Sequence, residues 1–189
     1  MREEPLLPRR RSVRLPFFDY STPKSYFLTI CAPHKRRFFG EVIDNVVQLN
    51  GVGRIVDACW REIPSHFVGV ELGPHVVMPN HVHGIVRLTL PPDGQPTAKQ
   101  AFRAQHAVPL RATSARRFGA MARNSIPAIV RSFKSAASTR IRDLPGRLNM
   151  VVWQRGFHEH VIRDEEDYGN ACEYIRMNPG RWQFDEDNS

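Results

Sequence analysis

Three shortages bound what this chain can be. No apolar run approaches the ~20 residues needed to cross a bilayer, and the arginine-rich first residues lack the apolar core of a signal peptide. Cysteine is scarce: Cys31, Cys59 and Cys172 lie far apart, odd in number and without Cys-x-x-Cys spacing. That pattern argues against a disulfide framework or a zinc knuckle and makes a reducing cytoplasm the expected compartment. Acidic residues are the minority charge, 19 against 27 Lys and Arg, which leaves +8 over 189 residues. Such an excess points to a polyanionic partner. Nucleic acid suits it better than a membrane, because no strongly amphipathic terminal helix accompanies the charge.

What is present suffices for one domain with arms or an insertion, since 41% of the residues are hydrophobic. Residues 1–24 form a basic arm with Arg9, Arg10, Arg11 and Arg14 ahead of Phe17, Phe18 and Tyr20. Arginine interleaved with aromatics can grip phosphates and stack on bases; a terminus merely anchored by its phenylalanines reads the same way. The body of the domain spans 25–182, and 183–189 is an acidic tail.

Tyr26–Cys31 is rich in β-branched and aromatic residues and predicts a strand, followed by the basic loop His34-Lys35-Arg36-Arg37 and a short hairpin between Phe38 and Leu49. Asn50 opens a helix whose Val52, Ile55, Val56 and Cys59 make one stripe, closed at Pro64. Phe67–Met78 predicts a second strand, interrupted near Gly73-Pro74, and Pro79-Asn80 turns the chain into a third at His81–Leu90. Residues 91–123 carry five arginines and no sustained periodicity, which reads as a basic insertion that orders on nucleic acid or as a tolerated surface loop.

Ser125 is placed to cap a helix running through Ile126, Ile129, Val130, Phe133, Ala137 and Ile141, with Arg131, Lys134 and Arg142 on its other side. That basic side is either solvated or tracks a DNA backbone. Trp153–Ile162, which includes Arg155, predicts a fourth strand. Asp164 opens a last helix that should end about Met177, because Pro179 disfavours helix at the residue before it. The order β-α-β-β-α-β-α predicts an α+β, ferredoxin-like split βαβ fold: an antiparallel sheet, two helices on one face, and an extra C-terminal helix. That fold hosts many functions, so the chemistry has to come from side chains.

His81 and His83 sit one residue apart on a strand, so both imidazoles point to one face and can share a metal ion. Two ordinary sheet histidines would look alike by spacing. Val82, Val86 and Leu88 share the opposite face with Gly84 and should meet the helices, leaving the histidines on the accessible side. A second pair, His158 and His160, is a rival. On the last helix Tyr168, Ala171, Cys172 and Ile175 make the buried stripe. At ~100° per residue, Tyr174 lies roughly 110° from the centre of that stripe. Asn178 is its neighbour at i+4, so a phenol and an amide project from one flank.

The stretch MPNHVHGIV, followed far downstream by WQRGFHEHVIRDEEDYGNACEYIRMNP, resembles the single-tyrosine HUH transposases, and within them the REP-associated tyrosine transposases. The resemblance runs from RRRSVRLPFFDY and YFLTIC through GRIVDACWREIP and IVRSFKS to YIRMNP. It implies a metal-dependent endonuclease and strand transferase acting on single-stranded or repeat-hairpin DNA through a 5′-phosphotyrosine intermediate. It also implies Tyr174 as nucleophile and His81 and His83 as ligands of Mg²⁺ or Mn²⁺. Many relatives have glutamine where this chain has Asn178; the role carries to Asn178, with Gln154, His158 and Glu159 as alternatives for the third ligand.

Arg9, Arg10, Arg11, Arg14, Lys134 and Arg155 are the expected DNA contacts. One nucleophile per chain favours a homodimer or two chains on one DNA. Two other classes remain open: a non-catalytic nucleic-acid-binding protein of the same fold, and a phosphodiesterase that activates water and would need extra carboxylates near its metal.

Overall fold

The structure, a computed structural model, describes residues 19–89 and 124–184. The arm with Arg9, Arg10, Arg11 and Arg14, the insertion at 91–123 and most of the acidic tail lie outside the described residues. Among those described, β1 is Ser25–Cys31, β2 Gly40–Ile43, β3 Val46–Leu49, α1 Gly51–Arg61, α2 Ile63–His66, β4 Val70–Val77, β5 His81–Leu88, α3 Ile126–Arg142, β6 His158–Val161 and α4 Glu165–Arg181. The main sheet has the order β4-β5-β1-β6 with every neighbouring pair antiparallel. This is the ferredoxin-like arrangement, with β2-β3 as a separate hairpin. Asp44 and Asn45 turn that hairpin, both at positive φ, as a two-residue turn requires.

One face of the sheet (Tyr26, Leu28 and Ile30 from β1; Val82, Val86 and Leu88 from β5) forms the main core with α1 and α3. Asn50 caps α1 as expected, its side chain accepting from Gly53 N at 3.0 Å. Gly84 lets this packing close: a Cβ there would stand 2.3 Å from Trp60 Cζ2 and 2.9 Å from His75 Cβ. The other face carries a smaller core in which Ile175 of α4 meets Ile85 and Ile162. Burying each of these side chains contributes about 1.5–3 kcal/mol, which holds α4 against the sheet.

Several local expectations change. Pro64 does not end the helical segment but sits in the first turn of α2, where a missing N–H leaves no acceptor unsatisfied. The interruption at Gly73-Pro74 is a register shift between Leu72 and His75 within a continuous β4. The last strand is four residues, His158–Val161; the stretch before it runs as loop. Ser125 makes no side-chain cap; its carbonyl accepts from Ala128 and Ile129 while Ile126 N donates to Tyr20 O. Pro179 lies inside α4, which continues to Arg181. The steric bias before a proline is outweighed here, because Asn178 and Trp182 are buried on either side of it.

Candidate active site

β5 places His81 and His83 on the sheet face opposite the main core, as its period of two requires. The expectation of an accessible pair is overturned. α4 and the 3-10 turn Trp182–Phe184 that follows it cover this face, and the histidines are 0% and 2% exposed. The two rings lie 4.2 Å apart, tilted by 62°.

One row along α4 and the turn that follows it faces them. Tyr174, Asn178 and Trp182 are spaced i, i+4, i+8 and so stack along one side of the helix. The Tyr174 ring lies 5.1 Å from that of His83, and the Trp182 ring 6.1 Å from that of His81. Asn178 lies between the two on the same row and is 2% exposed. Tyr174 remains 41% exposed and packs edge-on against Phe27 at 5.8 Å. Asp164 caps α4 through Asp167 N at 2.9 Å, as its position before three acidic residues suggests.

Each histidine has a partner at Nδ1. Thr29 Oγ1 lies 2.9 Å from His83 Nδ1, and Asn80 Oδ1 lies 2.7 Å from His81 Nδ1. His83 Nε2 is buried with no hydrogen-bond partner among the described residues. Burial, and then the neighbouring His81, push the His83 pKa well below the ordinary histidine value, so its imidazole is neutral. A buried, neutral imidazole with one orphaned nitrogen has the chemistry of a divalent-cation ligand, and so does the amide oxygen of Asn178. Nothing in the sequence pattern ties Thr29 or Asn80 to the histidine rings, because only the β1–β5 register and the folded turn bring them there.

A cavity of about 330 Å³ opens beside His83 and Tyr174. β1 contributes Phe27, Thr29 and Cys31; Lys35, Gln154 and His158 complete the wall. Among the described residues the wall carries one cationic side chain, Lys35, and no carboxylate. His158 reaches it because Thr29 of β1 pairs with His83 on one side and His158 on the other, forming one row across the sheet.

The rival pair separates. His160 Nε2 binds the Asp167 carboxylate at 2.9 Å, which ties β6 to the first turn of α4. Among the described residues no group of three His, Cys, Asp or Glu side chains could hold a metal, so neither His158 nor Glu159 joins the His81/His83 pair in such a set. Lys134, expected to face DNA, donates to the carbonyls of Gln154 (3.0 Å) and Gly156 and holds the loop that carries Gln154 into the cavity wall. Arg155 is exposed in that loop. No helix of the described residues is long and apolar enough to cross a membrane.

The chain matches no protein-family model. It is 37% identical over 177 residues to an uncharacterized protein of Haemophilus influenzae, covering 94% of this chain and 92% of that one. Its fold is similar to that of a REP-associated tyrosine transposase solved with a REP hairpin bound. The TM-score is 0.51 at 18% identity, over 93% of this chain and 74% of that one.

Proposed function

We propose that this chain, which belongs to one family with the Haemophilus influenzae protein and has the fold of the tyrosine transposase, is itself a metal-dependent single-stranded DNA endonuclease and strand transferase. The observation that carries the reading is the row Tyr174–Asn178–Trp182 laid against His81 and His83. A half-exposed phenol beside two buried imidazoles and a buried amide is poor surface design but suits a nucleophile next to a cation site.

His81, His83 and Asn178 would hold Mg²⁺ or Mn²⁺. All three are neutral, so a bound divalent ion keeps charge with which to polarise a phosphodiester oxygen. Tyr174 Oη attacks phosphorus; the P–O3′ bond breaks, the 5′ phosphate stays on Tyr174, and the 3′ oxygen leaves as a hydroxyl. A phenol in water has a pKa of about 10, so Tyr174 needs an acceptor for its proton on the way. Among the cavity side chains His158 is the exposed imidazole suited to take it and to return one to the leaving oxygen. The ester conserves the bond energy, so a second 3′-OH can reverse the step without ATP. A positioned hydroxyl outcompetes water for that attack.

The REP hairpin bound to the transposase of similar fold supports hairpin or single-stranded DNA as the substrate class, in keeping with the +8 charge. Lys35 at the cavity and exposed Arg155 beside it are the described cations placed to meet phosphates, with Arg9, Arg10, Arg11 and Arg14 proposed from the arm. Among the described residues the cavity wall has no carboxylate, which favours the tyrosine over a phosphodiesterase that activates water.

The test is a labelled hairpin oligonucleotide incubated with the protein and Mn²⁺, then run on a denaturing gel. A covalent protein–DNA adduct that disappears in Tyr174→Phe is the expected result. Free cleavage products that persist in Tyr174→Phe would favour hydrolysis, and binding without cleavage would leave a non-catalytic DNA-binding protein.

A further inference from the structure

We infer that Asn80 is a positioning residue: it fixes His81 in the tautomer protonated at Nδ1, so that Nε2 carries the lone pair offered to a cation. The functional half of this statement rests on the metal-site reading above; the tautomer itself does not.

Asn80 is 1% exposed at the turn between β4 and β5, and the backbone there is clamped on both sides. Its carbonyl accepts from Ala32 N at 2.7 Å, and that of Pro79 accepts from Phe39 N at 2.9 Å. Its side chain lies between two groups of different kind: Nδ2 is 3.2 Å from the carbonyl oxygen of Lys35, and Oδ1 is 2.7 Å from His81 Nδ1. A carbonyl oxygen only accepts, so the amide must present its NH₂ to Lys35. The amide oxygen then faces His81, and because it too only accepts, Nδ1 must carry the proton. Turning the amide over would set two oxygens 3.2 Å apart and remove a hydrogen bond inside the protein. Nothing comparable fixes His83 through Thr29, whose hydroxyl can donate or accept.

The acceptor that decides the amide's orientation belongs to an unusual segment. His34 and Lys35 both have φ of 52°, a region L-residues seldom occupy, and in that conformation the Lys35 carbonyl meets Asn80. Lys35 also lines the cavity beside His83 and Tyr174. The basic loop therefore acts twice, through its main chain on the His81 tautomer and through its side chain on the cavity.

An isolated neutral imidazole prefers its proton on Nε2, the opposite of what Asn80 selects. Without Asn80, cation binding would have to shift that equilibrium and hold the ring in place. Groups that orient a ligating histidine in this manner typically alter metal affinity 10–100-fold.

The experiment uses the full chain labelled with ¹⁵N-histidine, free of metal and DNA, and long-range ¹H–¹⁵N spectra at neutral pH. His81 is expected as the Nδ1–H tautomer. A wild-type His81 protonated on Nε2, or averaging between tautomers, overturns the inference without any variant. Asn80→Ala, or Asn80→Leu if the smaller side chain prevents folding, should move His81 towards Nε2–H and weaken Mn²⁺ binding by calorimetry 10–100-fold. Asn80→Asp, which keeps the acceptor, should keep Nδ1 protonated. A variant that lacks the acceptor yet retains a pure Nδ1–H ring also overturns it. A correct tautomer in a protein that binds no Mn²⁺ would uphold Asn80's effect on the ring and sink the metal site instead.

Discussion

The rings of Tyr174 and His83 meet edge to face, 5.1 Å apart and inclined at 72°, although they come from a helix and a strand far apart in the chain. Two anchors produce the meeting. The Ile175 contact with Ile85 and Ile162 seals the helix against the sheet, and the His160–Asp167 pair pins its first turn to β6. Tyr174 is thus delivered to the histidines by packing one residue away and by a hydrogen-bonded pair seven residues upstream.

If His81, His83 and Asn178 hold a cation, Mn²⁺ should stabilise the fold. At a free concentration of 100 times the dissociation constant the gain is about 2.7 kcal/mol. Thermal unfolding with and without Mn²⁺ should show this for the wild type and lose it in His83→Ala. Asn178→Ala should retain a smaller shift. An equal Mn²⁺ effect in His83→Ala would remove that residue from the site.

His158→Ala should slow adduct formation on a hairpin oligonucleotide by about 10²-fold, the lower end of general acid–base effects, while leaving the melting temperature near that of the wild type. The side chain is exposed and lies on the cavity rim, so little packing is lost. Quenched-flow or manual time courses over pH 5–9 provide the check. An unchanged rate would mean that the phenolic proton leaves by another route.

Gly84→Ala should destabilise the fold by about 1–3 kcal/mol without touching any proposed ligand directly. The added methyl would stand 2.3 Å from Trp60 Cζ2, a ring already stacked near His75 and edge-on to Phe133. Denaturant melts of the variant measure the cost. A melt like the wild type's would mean that Trp60 can move aside freely.

Burial lowers the Lys134 pKa from 10.5 to about 8. Between those values the unfolded chain binds more protons than the folded one, so stability from this group rises with pH. It is fully present above about 10.5 and is lost as pH falls through about 8. The melting-temperature difference between wild type and Lys134→Met should therefore move in favour of the wild type as pH rises from 7 to 10. A flat difference would indicate that the ammonium is solvated in spite of its contacts with the Gln154 and Gly156 carbonyls.

Local patterns in the sequence determined much of this. The period of two put His81 and His83 on one face, the helical period grouped Tyr168, Ala171, Cys172 and Ile175 and set Tyr174 aside, and Asn50 and Asp164 marked helix starts that hold. The element order led to the strand order observed. These signals survive in a single sequence because each depends on residues within a turn or two of one another.

Only the tertiary structure decided the rest. Burial of the histidines depends on α4 crossing the sheet and continuing through Pro179, against the local preference of the residue before a proline. The separation of His158 from His160 depends on Asp167 capturing one of them. Thr29 reaches His83 through strand register, and Asn80 reaches His81 under the direction of a carbonyl forty-five residues upstream. Such contacts are set by how whole elements pack, and no period in the chain encodes that.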